Sequence, residues 1–147
     1  MKLTRRTLLG ALAAGIAFPA RAQAGPVVDV VKTPTCGCCN GWIAHMRAAG
    51  FQVRSRDVPD TTPIARQLGV PDDLRSCHTA RVGGYAVEGH VPAADVRRLL
   101  RERPQAAGIA VAGMPVGSPG MEMGNRRQPY ETILFTRAGR RSVFARH

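Results

Sequence analysis

Residues 27–50 read VVDVVKTPTCGCCNGWIAHMRAAG. The first six are almost continuously β-branched and predict a buried strand over residues 27–32, which ends where Pro34 forces an extended or turning backbone. Residues 40–49 then place Trp42, Ile43 and Met46 on one helical face, and Gly50 supplies the stop. Between strand and helix stand Cys36, Cys38 and Cys39, a C-x-x-C with a third cysteine inside it. A strand, a cysteine motif and a helix in that order predict the opening of a thioredoxin-like α/β domain.

The chain on either side extends that reading. Downstream, residues 51–58 alternate as a half-exposed strand, and Thr62-Pro63 opens a short helix stopped by Gly69. Residues 77–82 and 85–88 read as strands joined by Gly83-Gly84, followed by a helix over residues 92–103 that Pro104 ends. The predicted order is therefore βαβ-α-ββα. Residues 108–124 hold five glycines, two prolines and three methionines, a Gly/Met-rich loop too broken for regular structure. Residues 131–136 and 142–145, split by Ala138-Gly139, predict a closing C-terminal hairpin.

Upstream, residues 1–24 have the form of an export signal. A basic start through Arg6 precedes an uncharged run over residues 8–18 and the small-x-small triplet Ala22-Gln23-Ala24. Thr4-Arg5-Arg6-Thr7-Leu8-Leu9 also matches a loose twin-arginine pattern. The apolar run falls short of the roughly 20 residues a membrane span needs, so residues 25–147 are expected as one exported, periplasmic domain without a permanent span. Four of the 21 Lys+Arg lie in residues 1–24, leaving 17 basic against 10 acidic residues and a net charge of +7. The arginines are scattered and few aromatics lie between them, so no nucleic-acid partner is expected.

An even number of cysteines in an oxidising compartment is first read as disulfides. Three cysteines within four residues cannot staple distant segments, however, and only a bridge from Cys77 back to the cluster would close a long loop. A helix N-terminus stabilises thiolates, which serves two chemistries. A thiol–disulfide oxidoreductase would use Cys36 and Cys39, with Cys38 as a competing exchange partner. A soft-metal site would use every sulfur. Cys36, Cys38, Cys39 and Cys77 match the ligand count of a single tetrahedral zinc, a zinc- or disulfide-stapled binding domain being a third reading. Adjacent Cys38 and Cys39 are better placed to bridge two ions, and four thiolates with four Cu(I) make a neutral cluster that is easier to bury.

Three motifs then carry a resemblance: TPTCGCCNGW at residues 33–42, SCHT followed by GGYAVEGHVP within residues 76–92, and GMPVGSPGME at residues 113–122. Together they resemble the CopG family of exported copper-resistance proteins, long treated as a domain of unknown function, DUF411. The resemblance implies a thioredoxin-like fold, copper bound by Cys36, Cys38, Cys39 and Cys77, and a role in copper resistance alongside other periplasmic copper-handling proteins. It leaves open whether copper is held or also changes oxidation state. Ordinary thioredoxins place a proline where Ser76 stands, which argues against disulfide exchange on a folded substrate.

The remaining candidates are weighed singly. His78 neighbours Cys77, but alternation on a strand would let only one of them face the cluster. His90 precedes the last predicted helix and can face solvent or a site. Met114, Met121 and Met123 are candidate thioether ligands for Cu(I) in the loop, with packing as flexible hydrophobes over the core the alternative for each, and at least one is expected on the metal. His45 is expected on the surface and His147 at a disordered chain end, while Glu88 and Glu122 are candidate partners for a histidine.

Overall fold

A computed structural model describes residues 25–147; residues 1–24, where the export signal is expected, lie outside the described residues. The chain order is β1 (Val27–Lys32), α1 (Gly37–Ala48), β2 (Gln52–Asp57), α2 (Thr62–Gln67), a 3-10 turn (Asp72–Leu74), β3 (His78–Val82), β4 (Tyr85–Glu88), α3 (Ala93–Glu102), β5 (Gly108–Ala110), β6 (Glu131–Phe135) and β7 (Arg141–Arg146). All seven strands join one sheet in the order β2-β1-β3-β4-β5-β6-β7. β1 runs parallel to β2 and antiparallel to β3, and β4 antiparallel to β3. The mixed α/β order expected for the first half is present.

Two apolar faces hold the sheet between layers. Val28, Val30, Ala80, Val82 and Val87 alternate onto the face that packs Trp42 and Met46 of α1 and Val96 and Leu99 of α3. Ala86, Ala110 and Phe135 face the other way, against Ala65 and Leu74. Each fully buried large aliphatic or aromatic side chain contributes about 1.5–3 kcal/mol. Trp42 also needs a partner for its indole N–H, and it donates to the Val91 carbonyl at 2.8 Å, tying α1 to the chain entering α3.

Four expectations are corrected. Residues 108–124 are not wholly irregular: Gly108–Ala110 forms β5, parallel to β4 and antiparallel to β6, so the predicted C-terminal hairpin continues the main sheet. Helix α1 begins at Gly37 rather than residue 40, which moves Cys38 and Cys39 into its first turn. His45 is not a free surface residue, because its Nε2 accepts the Ala93 N–H at 3.1 Å. His147 is held as well: its ring stacks on Tyr130 with centroids 4.6 Å apart, and its Nε2 lies 2.9 Å from the Asp95 carboxylate.

Candidate metal centre

The four cysteines converge from two elements. Cys36 is the N-cap of α1 and its N–H donates to the Thr33 carbonyl at 3.2 Å, so the TPT turn folds back beneath it. Cys38 and Cys39 follow on the first turn, and Cys77 arrives immediately before β3. Their sulfurs all lie within 4.8 Å of one another. Cys36 and Cys39 form a disulfide, while Cys38 and Cys77 are free and half-buried. Cys77 Sγ stands 3.5 Å from Cys39 Sγ and 3.7 Å from Cys38 Sγ, and Cys38 Sγ is 3.5 Å from Cys36 Sγ. The bridge formed is therefore the local C-x-x-C pair of the oxidoreductase reading, and not one from Cys77 back to the cluster. Burial, and then the neighbouring Cys38, pushes the Cys77 thiol up to about 12. Cys77 lies outside the α1 N-terminus that stabilises thiolates, and a bound cation would have to displace its proton.

Both histidines that bracket the β3–β4 hairpin reach Cys77. His78 Nδ1 is 3.4 Å and His90 Nε2 is 3.1 Å from its sulfur. The alternation that argued against His78 does not apply, since β3 starts at His78 and Cys77 lies outside the pleat. His78 is fully buried, its ring centroid 4.5 Å from Trp42 and 5.0 Å from His90. Burial, then the neighbouring His90, lowers its pKa to about 3, so it is neutral at physiological pH. Its Nε2 has no hydrogen-bond partner among the described residues. His90 is buried too, which likewise lowers its pKa. Its Nδ1 lies 2.8 Å from the Pro119 carbonyl. That oxygen can only accept, so Nδ1 carries the proton and Nε2 presents its lone pair toward Cys77, the orientation a metal-ligating imidazole needs.

Pro119 belongs to the Gly/Met-rich loop, which closes over the centre through tight turns. Gly117 and Met121 are joined by a backbone hydrogen bond of 2.9 Å, and Met121 N–H donates to the Ser118 carbonyl at 2.8 Å. Gly120 has φ +85, and a Cβ there would fall 2.5 Å from the Trp42 nitrogen and 2.6 Å from the Cys38 carbonyl oxygen. Glycine satisfies both the backbone conformation and the contact. Met114 brings its sulfur to 4.0 Å from Cys38 Sγ while remaining half exposed. Met121 is half-buried and Met123 exposed, and neither is bonded to the cysteines among the described residues.

The approach to Cys77 is fixed by Glu88, fully buried on β4. Its Oε1 accepts from the Ser76 N–H at 2.8 Å and Arg75 Nε at 3.2 Å, and its Oε2 accepts from Thr79 Oγ1 at 2.6 Å. Burial raises its pKa, opposed by these bonds and the Arg75 charge. Glu88 therefore holds the backbone around Cys77 rather than a histidine, and Glu122 is exposed and accepts the Gly120 N–H. No sequence period marks Glu88; its signal was a carboxylate on a short strand otherwise suited to burial.

The family model described as a protein of unknown function, DUF411, matches residues 74–121, from the turn before Cys77 to Met121. A solved structure described as "Copper resistance protein copG- Form 1" is 49% identical, covering 82% of this chain and 96% of that one, with a TM-score of 0.79. The chain belongs to the CopG copper-resistance family. A second structure, "Copper resistance protein copG- Form 2", is 47% identical over 84% of this chain and 98% of that one, with a TM-score of 0.80. No curated protein matches. Cys36, Cys38 and Cys39 lie outside the family-model match, which includes Cys77. The donor set is soft sulfur and neutral imidazole, which suits copper or zinc and not a hard cation.

Proposed function

We propose that this chain is an exported, periplasmic copper-resistance protein that holds Cu(I) as cargo on Cys36, Cys38, Cys39 and Cys77, with thiolates bridging more than one ion. The observation that carries this reading is the convergence of four sulfurs within 4.8 Å from two elements. Its support from outside is the name carried by the two CopG structures. Adjacent Cys38 and Cys39 cannot both point at one tetrahedral centre easily, and bridging relieves that. His90, with Nδ1 already committed to Pro119, and Met114 stand where further soft ligands would complete the coordination.

The Cys36–Cys39 disulfide is the copper-free, oxidised form in this account. Two electrons and two protons convert it to two thiols, and only then are four sulfurs available. Anaerobic reduction with a dithiol followed by Cu(I) titration against a chromophoric chelator tests the reading. Tight uptake by the reduced chain and little by the oxidised one is expected; equal uptake by both sinks it.

The same disulfide favours a second reading, a thiol–disulfide oxidoreductase working through Cys36 and Cys39. If Cys38→Ser keeps full copper binding while Cys36→Ser abolishes a robust insulin-reducing activity, that reading replaces the first.

A further inference from the structure

The sheet face that carries α2 is left open over β2, β1 and β3, away from the cysteines. A groove of about 470 Å³ lies there, with Val31 in its floor, Ile64 and Leu68 of α2 in one wall, and Arg54, Arg56 and Arg81 along it. Strand register explains the grouping. Asp29 pairs with Arg54 on one side and Arg81 on the other, and Val31 pairs with Arg56, so with side chains alternating these residues share one face. Three guanidiniums thus meet a single carboxylate. Among the described residues none of the three forms an ion pair. β2 is also an outer strand of the sheet, and all its residues but Val53 are exposed. Apart from the Val53 carbonyl, which accepts from Arg47 Nη2 at 3.2 Å, its outward row of backbone N–H and C=O groups is therefore open to a further strand.

We propose that this edge and groove bind an extended acidic segment of a second protein, added to β2 as an outer strand with its acidic side chains against Arg54 and Arg56. Two residues along a strand advance roughly 6.6 Å, so alternate residues of an incoming strand meet the two arginines in turn. Its backbone supplies the ladder and its acids the selectivity, as in other strand-addition complexes.

Charge selects this occupant over the alternatives. A second copy of the chain pairing antiparallel about Ser55 would set Arg54 against Arg56 twice, and parallel pairing in register would set each arginine against itself; like charges directly opposite are destabilising. The chain's own residues 1–24 carry Lys2, Arg5, Arg6 and Arg21 and no acid, the wrong sign for this groove. The net charge of +7 over residues 25–147 attracts an acidic partner at long range. The surface is independent of the copper reading, since it shares no residue with the cysteine centre.

The test uses the purified protein and a fluorescent peptide with glutamates at alternating positions among threonines and valines, beside the same peptide carrying lysines. Fluorescence anisotropy at low salt should show binding of the glutamate peptide and none of the lysine peptide. R54E/R56E should lower the affinity at least tenfold, R126E/R127E less than threefold, and amides of residues 52–57 should gain protection from hydrogen exchange when the peptide is bound. All four substituted arginines are exposed, and thermal melts verify that both variants fold; R54Q/R56Q replaces any that does not. The proposal is overturned if the glutamate peptide does not bind, if R126E/R127E weakens it as much as R54E/R56E, or if residues 52–57 gain no protection. It is also overturned if phosphatidylglycerol vesicles, and not the peptide, bind in a manner that R54E/R56E abolishes.

Discussion

Cys36, Cys38, Cys39 and Cys77 stand at the ends of regular elements, whereas Met114 and the Pro119 carbonyl reach the same centre from a segment without helix or strand. The first set is placed by a buried sheet and by the carboxylate of Glu88. The second is placed by glycine turns laid directly on α1. This difference separates the proposed ligands, whose loss should remove metal, from the cover, whose loss should change how long metal stays. It also predicts that stability and copper retention can be damaged independently.

The largest effect is expected at the rigid side. Glu88→Ala leaves Arg75 and the Ser76 N–H without their buried acceptor, and removal of one member of a buried ion pair costs about 3–5 kcal/mol. A denaturant midpoint unchanged by Glu88→Ala would break the claim that this carboxylate holds the Cys77 turn. On the cover side, Gly120→Ala forces a side chain into backbone at a positive φ, at a cost of about 2–3 kcal/mol. Thermal melting of the metal-free protein measures it, and an unaltered melt would mean the loop is not seated on α1 as described.

Cys38→Ser reverses the balance. Its thiol is half-buried and not in the disulfide, so the metal-free protein should lose less than about 1 kcal/mol. Cu(I) retention against a chelator should nevertheless fall at least tenfold, about 1.4 kcal/mol. The smallest effect belongs to Met114→Leu, which roughly conserves volume at a half-exposed position. Retention should fall about threefold, roughly 0.7 kcal/mol, with no change in melting. A lowered melt with retention intact would make Met114 a packing residue.

The same division governs what could be read from sequence. Local signals sufficed where local forces decide: β1 and α1, the Gly83-Gly84 hairpin, α3 and its stop before Pro104, and the closing hairpin. They failed where tertiary contact decides. Three residues, Gly108–Ala110, form a strand only because β4 and β6 flank them, and no pattern of length three announces that. Helix α1 starts at Gly37, where the Gly120 backbone packs against its first turns, despite the poor helix propensity of glycine and cysteine. The four cysteines could be grouped by residue chemistry alone. The reach of His78 depended on where β3 begins, one residue beyond Cys77, and the hydrogen bond that orients His90 comes from a proline carbonyl 29 residues away.

Four converging sulfurs should form a centre for more than one copper ion. The most direct measurement is the copper-to-protein ratio of anaerobically reduced protein loaded with Cu(I), with X-ray absorption on the same sample. More than one Cu(I) per chain, sulfur-dominated coordination and a short Cu–Cu separation are expected. A one-to-one complex without a metal neighbour, or preference for a single tetrahedral zinc under competition, would contradict it.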